Sequence, residues 1–254
     1  MKNQETLDIR KRLCYNGKQS TIFKKKGGKK VNITLTGNLG SGKTTICNIL
    51  KEKGYEIVST GKIFRQIAEE RNVTVIELNK MAEQDRSIDD LLDNKTTELG
   101  KTLDHVVFDS RLAWNFVPES FKVFLMVETD EAARRVYNDS ERNAESYASV
   151  EEAKEGLVKR AELEKSRFQD LYQINYYNAS NYNLVIESTK AKPEDIAKEI
   201  IKQFTYYEKE VFSTKVLINN RTEKVEKVYE EYSLEEFKEK QKTEGNKLDF
   251  FMEF

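Results

Sequence analysis

The feature that most constrains this chain is the run Val31-Asn-Ile-Thr-Leu-Thr36, followed without a break by Gly37-Asn-Leu-Gly-Ser-Gly-Lys-Thr44. An alternating apolar segment that leads into G-x-x-x-x-G-K-[ST] reads as a strand, a phosphate-wrapping loop and a helix start, in that order. The glycines let the backbone curl until successive N–H groups point inward at phosphate oxygens. Lys43 can then reach the β- and γ-phosphates of a nucleoside triphosphate, and Thr44 can offer its hydroxyl to Mg²⁺. A helix opening at Lys43 adds the positive end of its dipole. The competing reading is a glycine-rich turn before an ordinary helix, and the matching strand and helix on either side argue against it. Gly37, Asn38, Leu39, Gly40, Ser41, Gly42, Lys43, Thr44 and Thr45 are therefore expected to form the triphosphate cradle.

Charge and cysteine usage narrow the class further. Charged residues make up 34% of the 254 residues, yet the formal net charge is only −1, so no general affinity for nucleic acid or membrane follows. No apolar stretch approaches the ~20 residues that cross a bilayer, and the N-terminus lacks an apolar signal core, so a soluble cytoplasmic protein is expected. Cys14 and Cys47 have no C-x-x-C spacing, which fits a reducing compartment and speaks against a zinc site or a disulfide scaffold. His105 is the single histidine, so a histidine triad or His-cluster metal centre is not expected, and its place at the start of an apolar strand reads as structural.

Three regions are distinguishable. Residues 1–30 carry ten basic residues against two acidic ones and read as a basic arm, with Asn16-Gly17 as the turn of a candidate hairpin. Residues 31–205 alternate short β-type runs with helical stretches, the pattern of a parallel sheet with crossover helices. Strands are expected at 31–36, 56–59, 105–109, 121–127 and 183–187. Helices are expected at 43–53, 61–71, 74–85, 87–100, 129–139, 149–170 and 193–208. Ser149-Val-Glu-Glu152 is a capping box for the long helix, and Pro193 suits a first helical turn. Residues 206–254 form a C-terminal extension with an aromatic end, Phe250-Phe-Met-Glu-Phe254.

Several constellations in the central region can carry phosphate chemistry. Ser59-Thr-Gly-Lys-Ile-Phe-Arg65 follows the second strand, with a glycine at the turn and an arginine one helical turn in that can fork onto a phosphate, or equally be a surface arginine on an amphipathic helix. Asp109 ends the third strand, where an aspartate can hold Mg²⁺ or orient an attacking phosphate, or merely cap the next turn, and Arg111 follows as a second clamp. Arg160, Glu164 and Arg167 stand at i, i+4 and i+7 on one helix face, a spacing that a structural ion-pair ladder would share. Arg134, Arg135 and Arg142 add positive charge upstream, as a mobile arginine-bearing lid would.

Together, Ser-Thr-Gly-x-x-x-Arg, Asp-Ser-Arg and Arg-x-x-x-Glu-x-x-Arg resemble the nucleoside monophosphate kinases, most closely the archaeal-type cytidylate kinases. Asp85-x-x-Ile88-Asp89-x-x-Leu92-Asp93, Arg111-Leu-Ala-Trp114, Arg167-Phe-Gln-Asp-Leu-Tyr172 and Tyr182-Asn-Leu-Val-Ile-Glu187 add to the resemblance, which spans Val31 to about Phe204. It implies an α/β three-layer P-loop NTPase fold with a five-stranded parallel sheet. It also implies an acceptor-binding helical insert at about 60–100, a lid at about 137–160, and transfer of the ATP γ-phosphate to CMP or dCMP.

Under that resemblance Lys43, Asp109, Arg111, Arg160 and Arg167 are the catalytic set, and Thr44 and Asp109 hold Mg²⁺. Ser59, Gly61, Phe64, Arg65, Asp109, Arg111 and Glu164 form the acceptor site. Glu164 stands where bacterial relatives usually have aspartate, a position that looks like the nucleoside contact. Asp85, Asp89 and Asp93 are alternative contacts to the base, or surface acids. Two positions depart from the pattern: Lys62 is often acidic in related kinases, and Ser110 replaces a common glycine.

Two further readings use the same residues. One is a P-loop kinase for another nucleotide or a small alcohol. The other is a nucleotide-sensing module whose basic arm contacts nucleic acid backbones, with salt-dependent affinity. The sequence carries no signal of a particular oligomeric state.

Overall fold

The computed structural model describes residues 30–209, apart from 74–76, 79–80, 83–84, 140–146 and 179–180, together with the strand backbones at 214–218 and 230–232. The candidate hairpin of the basic arm, most of the helix expected at 74–85, Arg142 and the aromatic terminus lie outside these residues.

The strands are β1 (Ile33–Gly37), β2 (Glu56–Ser59), β3 (Val106–Asp109), β4 (Phe121–Met126), β5 (Leu184–Glu187), β6 (Thr214–Ile218) and β7 (Glu230–Tyr232). They form one sheet in the order β2-β3-β1-β4-β5-β6-β7. The five expected strands are present and mutually parallel. Two strands from the segment read as an extension continue the sheet, β6 parallel to β5 and β7 antiparallel to β6. The helices are α1 (Lys43–Glu52), α2 (Thr60–Glu70), α3 (Ser87–Thr102), α4 (Ala113–Phe116), α5 (Thr129–Tyr137), α6 (Val150–Tyr172) and α7 (Pro193–Glu208). The short α4 was not expected from the sequence, because four residues are too few to show a helical period.

Strand β1 lies inside the sheet, with β3 on one side and β4 on the other. The chain leaves β1 toward β2 on one side and leaves β4 toward β5 on the other, which opens a crevice at the carboxyl ends of these two neighbouring strands. Ile33 and Leu35 face one layer, where α1 and α7 bring Ile46, Leu50, Ile196, Ile200 and Phe204 against them. The alternate residues Thr34 and Thr36 face the other layer and are just as buried. Their hydroxyls are satisfied there: Thr34 pairs with the Ser120 hydroxyl at 3.0 Å, and Thr36 donates to the Ser110 carbonyl at 3.0 Å. Alternation in β1 thus separates apolar from hydrogen-bonded burial, as a parallel sheet covered on both faces requires.

The second layer has three parts. Helices α2 and α3 close over Val58, Val106 and Phe108 with Ile63, Ile67, Ile88 and Leu99. Trp114, Tyr176, Tyr177 and Tyr182 pack on Phe124, Met126 and Val185. Helices α5 and α6 meet through Ala132, Ala133 and Val136 against Ala153 and Leu157, with Leu39 of the glycine loop in the same cluster. Asn32, buried beside β1, donates to the Gly100 and Leu103 carbonyls and accepts from Val106 N–H, tying the end of α3 to the start of β3.

Two local expectations hold in detail. Ser149 caps α6 by accepting from Glu152 N–H at 3.1 Å, while the Glu152 carboxylate reaches back one residue further than usual, to Ala148 N–H. Pro193 stands in the first turn of α7. His105 has a structural place: its Nε2 meets Glu208 Oε1 at 2.7 Å and its ring packs edge-on against Phe204.

Candidate active site

Loop 37–42 turns at the carboxyl end of β1. Gly40 (φ 76°) and Gly42 (φ 86°) are both left-handed, and Gly42 is the N-cap from which α1 begins at Lys43. Asn38 N–H donates to the Leu125 carbonyl at 3.1 Å and anchors the loop to β4. Leu39 points into the α5–α6 cluster and Ser41 is buried. The Ser41 hydroxyl has no hydrogen-bond partner among the described residues, which leaves a donor inside the loop for an anionic oxygen. Thr44 and Thr45 are exposed in the first turn of α1.

Lys43 lies half-buried over this loop. Burial, reinforced by the Arg111 guanidinium, pushes its ammonium down to about 7, although the Asp109 and Glu164 carboxylates pull the other way. Lys43, Asp109, Arg111 and Glu164 thus share one electrostatic neighbourhood. Cys47, one helical turn beyond Lys43, is buried with its thiol pushed up to about 12, first by burial and then by Asp109. It is a core residue rather than a nucleophile.

Strand register assembles the adjoining wall. Asp109 stands opposite both Leu35 of β1 and Ser59 of β2, so β2 and β3 end in register while β1 runs two residues further into the glycine loop. Ser59 holds the N-cap position of α2 without a side-chain capping bond, and Arg65 lies one turn into that helix, exposed. A Cβ added to Gly61 would stand 3.6 Å from Ser59 Oγ and 3.8 Å from Arg65 Nη1, so these three residues crowd the turn after β2. Phe64 is turned from this group toward the α2–α3 cluster, with partial exposure.

The turn after β3 carries the densest charge. Arg111 Nε donates to Glu164 Oε2 at 3.0 Å, and Arg160 Nε donates to Glu164 Oε1 at 3.2 Å. Tyr176 adds a donor to the same carboxylate at 3.3 Å. Burial works against the charge on Glu164, but Arg111 and then Arg160 outweigh it and hold the carboxyl below its usual range. Burial likewise opposes the Arg111 cation, and Glu164 reverses the effect. The Arg111 carbonyl accepts from Trp114 Nε1 at 3.1 Å, which fixes the turn from its far side. Ser110 accommodates its side chain by accepting from Leu112 N–H at 3.3 Å.

Arg167, two turns beyond Arg160, takes a different partner: its Nη2 donates to both oxygens of Asp89 on α3 at 2.9 Å. Tyr172 donates to Asp93 at 2.8 Å. Asp89 and Asp93, read from sequence as base contacts or surface acids, therefore join α3 to α6.

Arg134 and Arg135 stand on α5, ahead of the lid expected at about 137–160. Both pair with Glu131 on α5, and Arg135 also donates to the Gly40, Ser188 and Thr189 carbonyls. This places Arg135 as a brace between the glycine loop and the turn after β5, a role with no motif to announce it. Ser188 strengthens the same brace, donating toward the Ser41 and Met126 carbonyls at 3.1 and 2.6 Å. Among the described residues no cluster of three metal-ligating side chains occurs, and no helix is long and apolar enough to cross a membrane.

Comparisons with known proteins agree with this geometry. Residues 32–190 match the model of the cytidylate kinase-like family. A cytidylate kinase from Methanobrevibacter smithii is 36% identical over 170 residues, spanning 66% of this chain and 95% of the relative. One from Natronomonas pharaonis is 35% identical over 167 residues, 65% of this chain and 84% of the relative. Among solved structures, a shikimate kinase from Bacteroides thetaiotaomicron shares the fold at a TM-score of 0.50 and 18% identity, covering 68% of this chain and 98% of the other. The chain is a kinase-type phosphotransferase and belongs to the cytidylate kinase-like family.

Proposed function

We propose that this chain transfers the γ-phosphoryl group of ATP to a nucleoside monophosphate, with CMP or dCMP as the acceptor. The observation that supports it best is the single charged neighbourhood of Lys43, Asp109, Arg111 and Glu164 at the carboxyl ends of adjacent strands. Two phosphate chains brought together there need several cations and little water, because charge must be neutralised on donor and acceptor alike.

In this reading the backbone of residues 37–45 and Lys43 hold the ATP phosphates. Arg65 and Arg111 hold the acceptor phosphate, and Arg160 and Arg167 approach from α6. An acceptor phosphate oxygen forms a bond to the γ-phosphorus while the bond to the β–γ bridging oxygen breaks, and ADP leaves with that electron pair. No covalent intermediate with the protein is needed, so the rate comes from positioning and charge stabilisation. The Thr44 hydroxyl and Asp109 carboxylate are hard oxygen donors of the kind that suits Mg²⁺. Mg²⁺ would supply charge neutralisation on the substrate phosphates. Glu164, with one oxygen on each of two arginines, orders the clamp and can also accept from a nucleoside hydroxyl or amino group.

The test is ADP release from ATP–Mg²⁺ with CMP, dCMP, UMP, AMP, GMP and shikimate as acceptors, and Arg111→Ala as the control. Turnover on CMP or dCMP that the variant loses is the expected result. Turnover confined to another acceptor would replace the substrate assignment. Tight ATP binding with no turnover would favour a nucleotide-sensing module, whose basic arm should then bind DNA or RNA in a salt-dependent way.

A further inference from the structure

Helices α3 and α6 meet along a seam of three polar contacts at matched spacing. Arg86, Asp89 and Asp93 stand at i, i+3 and i+7, on one face at the start of α3. Arg86 Nη2 donates to the Leu171 carbonyl at 3.1 Å, Arg167 donates to Asp89, and Tyr172 donates to Asp93. The Asp89 side chain is only 14% exposed, whereas its partner Arg167 is 52% exposed. A half-exposed ion pair of this kind contributes little to stability. Its geometric consequence is larger. Both acceptor oxygens of Asp89 engage one terminal nitrogen of Arg167, and because a guanidinium is planar, the plane of its other three N–H groups is then set.

We propose that Asp89 is a positioning residue for Arg167, and that the seam makes the acceptor-side helix α3 and the arginine-bearing helix α6 move as one unit. The proposal rests on the phosphoryl-transfer reading. Glu164 already ties the middle of α6 to Arg111 at the end of β3. With the seam in place, α6 is held on both sides of Arg167, and a shift of α3 on acceptor binding is passed to a phosphate-directed arginine. The alternative of Asp89 as a base contact has less support, since both of its oxygens already serve Arg167.

A double-mutant cycle of Asp89→Ala, Arg167→Ala and the double variant tests this. Acceptor binding is followed in parallel by the fluorescence of Trp114, the single tryptophan, which is bonded to the Arg111 carbonyl. Asp89→Ala should lower kcat by ~10- to 100-fold with acceptor KM changed only a few-fold, as expected of a misplaced clamp. The double variant should be no slower than Arg167→Ala, and Asp89→Glu should recover part of the loss. Parental kcat in Asp89→Ala, or losses that multiply in the double variant, would overturn the proposal. Should the alanine variant fail to fold, Asp89→Leu, which is similar in size and offers no acceptor, takes its place, and parental kcat there overturns it equally. A parent that turns over no acceptor defeats the transfer reading instead. The cycle is then read on ATP binding by Trp114 fluorescence, where independent losses overturn the seam.

Discussion

Arg111 Nε and Glu164 Oε2 stand 3.0 Å apart and join the end of β3 to the middle of α6, with Arg160 on the other oxygen of the same carboxylate. Removing Glu164 therefore leaves two cations facing each other with the intervening charge gone. Glu164→Gln is expected to cost about 1–2 kcal/mol of stability at neutral pH, from the loss of charge-assisted bonds in a mostly buried site. The folded-state carboxyl is held below its ordinary value of 4.5, so this contribution is present above that value and is lost as pH falls through the folded value. Urea unfolding of parent and variant should show the gap at neutral pH and its decline in acid.

Lys43 predicts a proton linkage in nucleotide binding. With its ammonium pushed down to about 7, the lysine is largely neutral at mildly alkaline pH. A polyphosphate in contact raises it again, so binding at about pH 8 should take up a proton, and binding at about pH 6 should take up little. Calorimetry of ATP binding in buffers of different ionisation enthalpy reads this directly. In Lys43→Met the buffer dependence should disappear together with much of the affinity.

The two left-handed glycines of the loop should respond differently to alanine. A Cβ on Gly40 would lie 2.9 Å from the Ala132 backbone on α5, whereas one on Gly42 meets nothing within 4 Å. Gly42→Ala should therefore carry backbone strain alone, about 1–2 kcal/mol, and Gly40→Ala that strain plus a displaced α5. Thermal unfolding should rank Gly40→Ala below Gly42→Ala, with both below the parent.

Asp93 offers a test with the opposite pH sign. Burial pushes its carboxyl up to about 6, although the Tyr172 hydroxyl works the other way. A raised folded-state carboxyl lowers stability as pH rises from 3.8 toward that value. Asp93→Asn keeps an acceptor for Tyr172 and removes the charge. It should be more stable than the parent by about 1 kcal/mol at neutral pH once solvent screening is discounted, with the advantage fading in acid.

Much of the fold was legible because its signals are local. The glycine loop, the capping box at Ser149 and Pro193 each act within a turn or two, and all three stand where the sequence places them. Short β-branched runs located the five parallel strands. The brace formed by Arg135 was not legible, since its acceptors are carbonyls at Gly40, Ser188 and Thr189, far apart in sequence. Helix α4 escaped because four residues carry no period. Strands β6 and β7 lie in the segment read as an extension, and only pairing with β5 reveals that they continue the sheet.

What the sequence determined by itself was the glycine loop, the order of elements around it and the arginines near it, because backbone curvature, helix starts and charge are properties of neighbouring residues. Which carboxylates Arg111 and Arg167 meet was decided by tertiary structure, whereas the Arg160–Glu164 pair at i,i+4 lies within one helix. Arg160 and Arg167 lie on one helix two turns apart, yet one shares Glu164 with Arg111 and the other is held by Asp89. Ion pairing depends on distances of a few ångströms across elements 53 and 78 residues apart, and only the packing of α3 and β3 against α6 sets those distances.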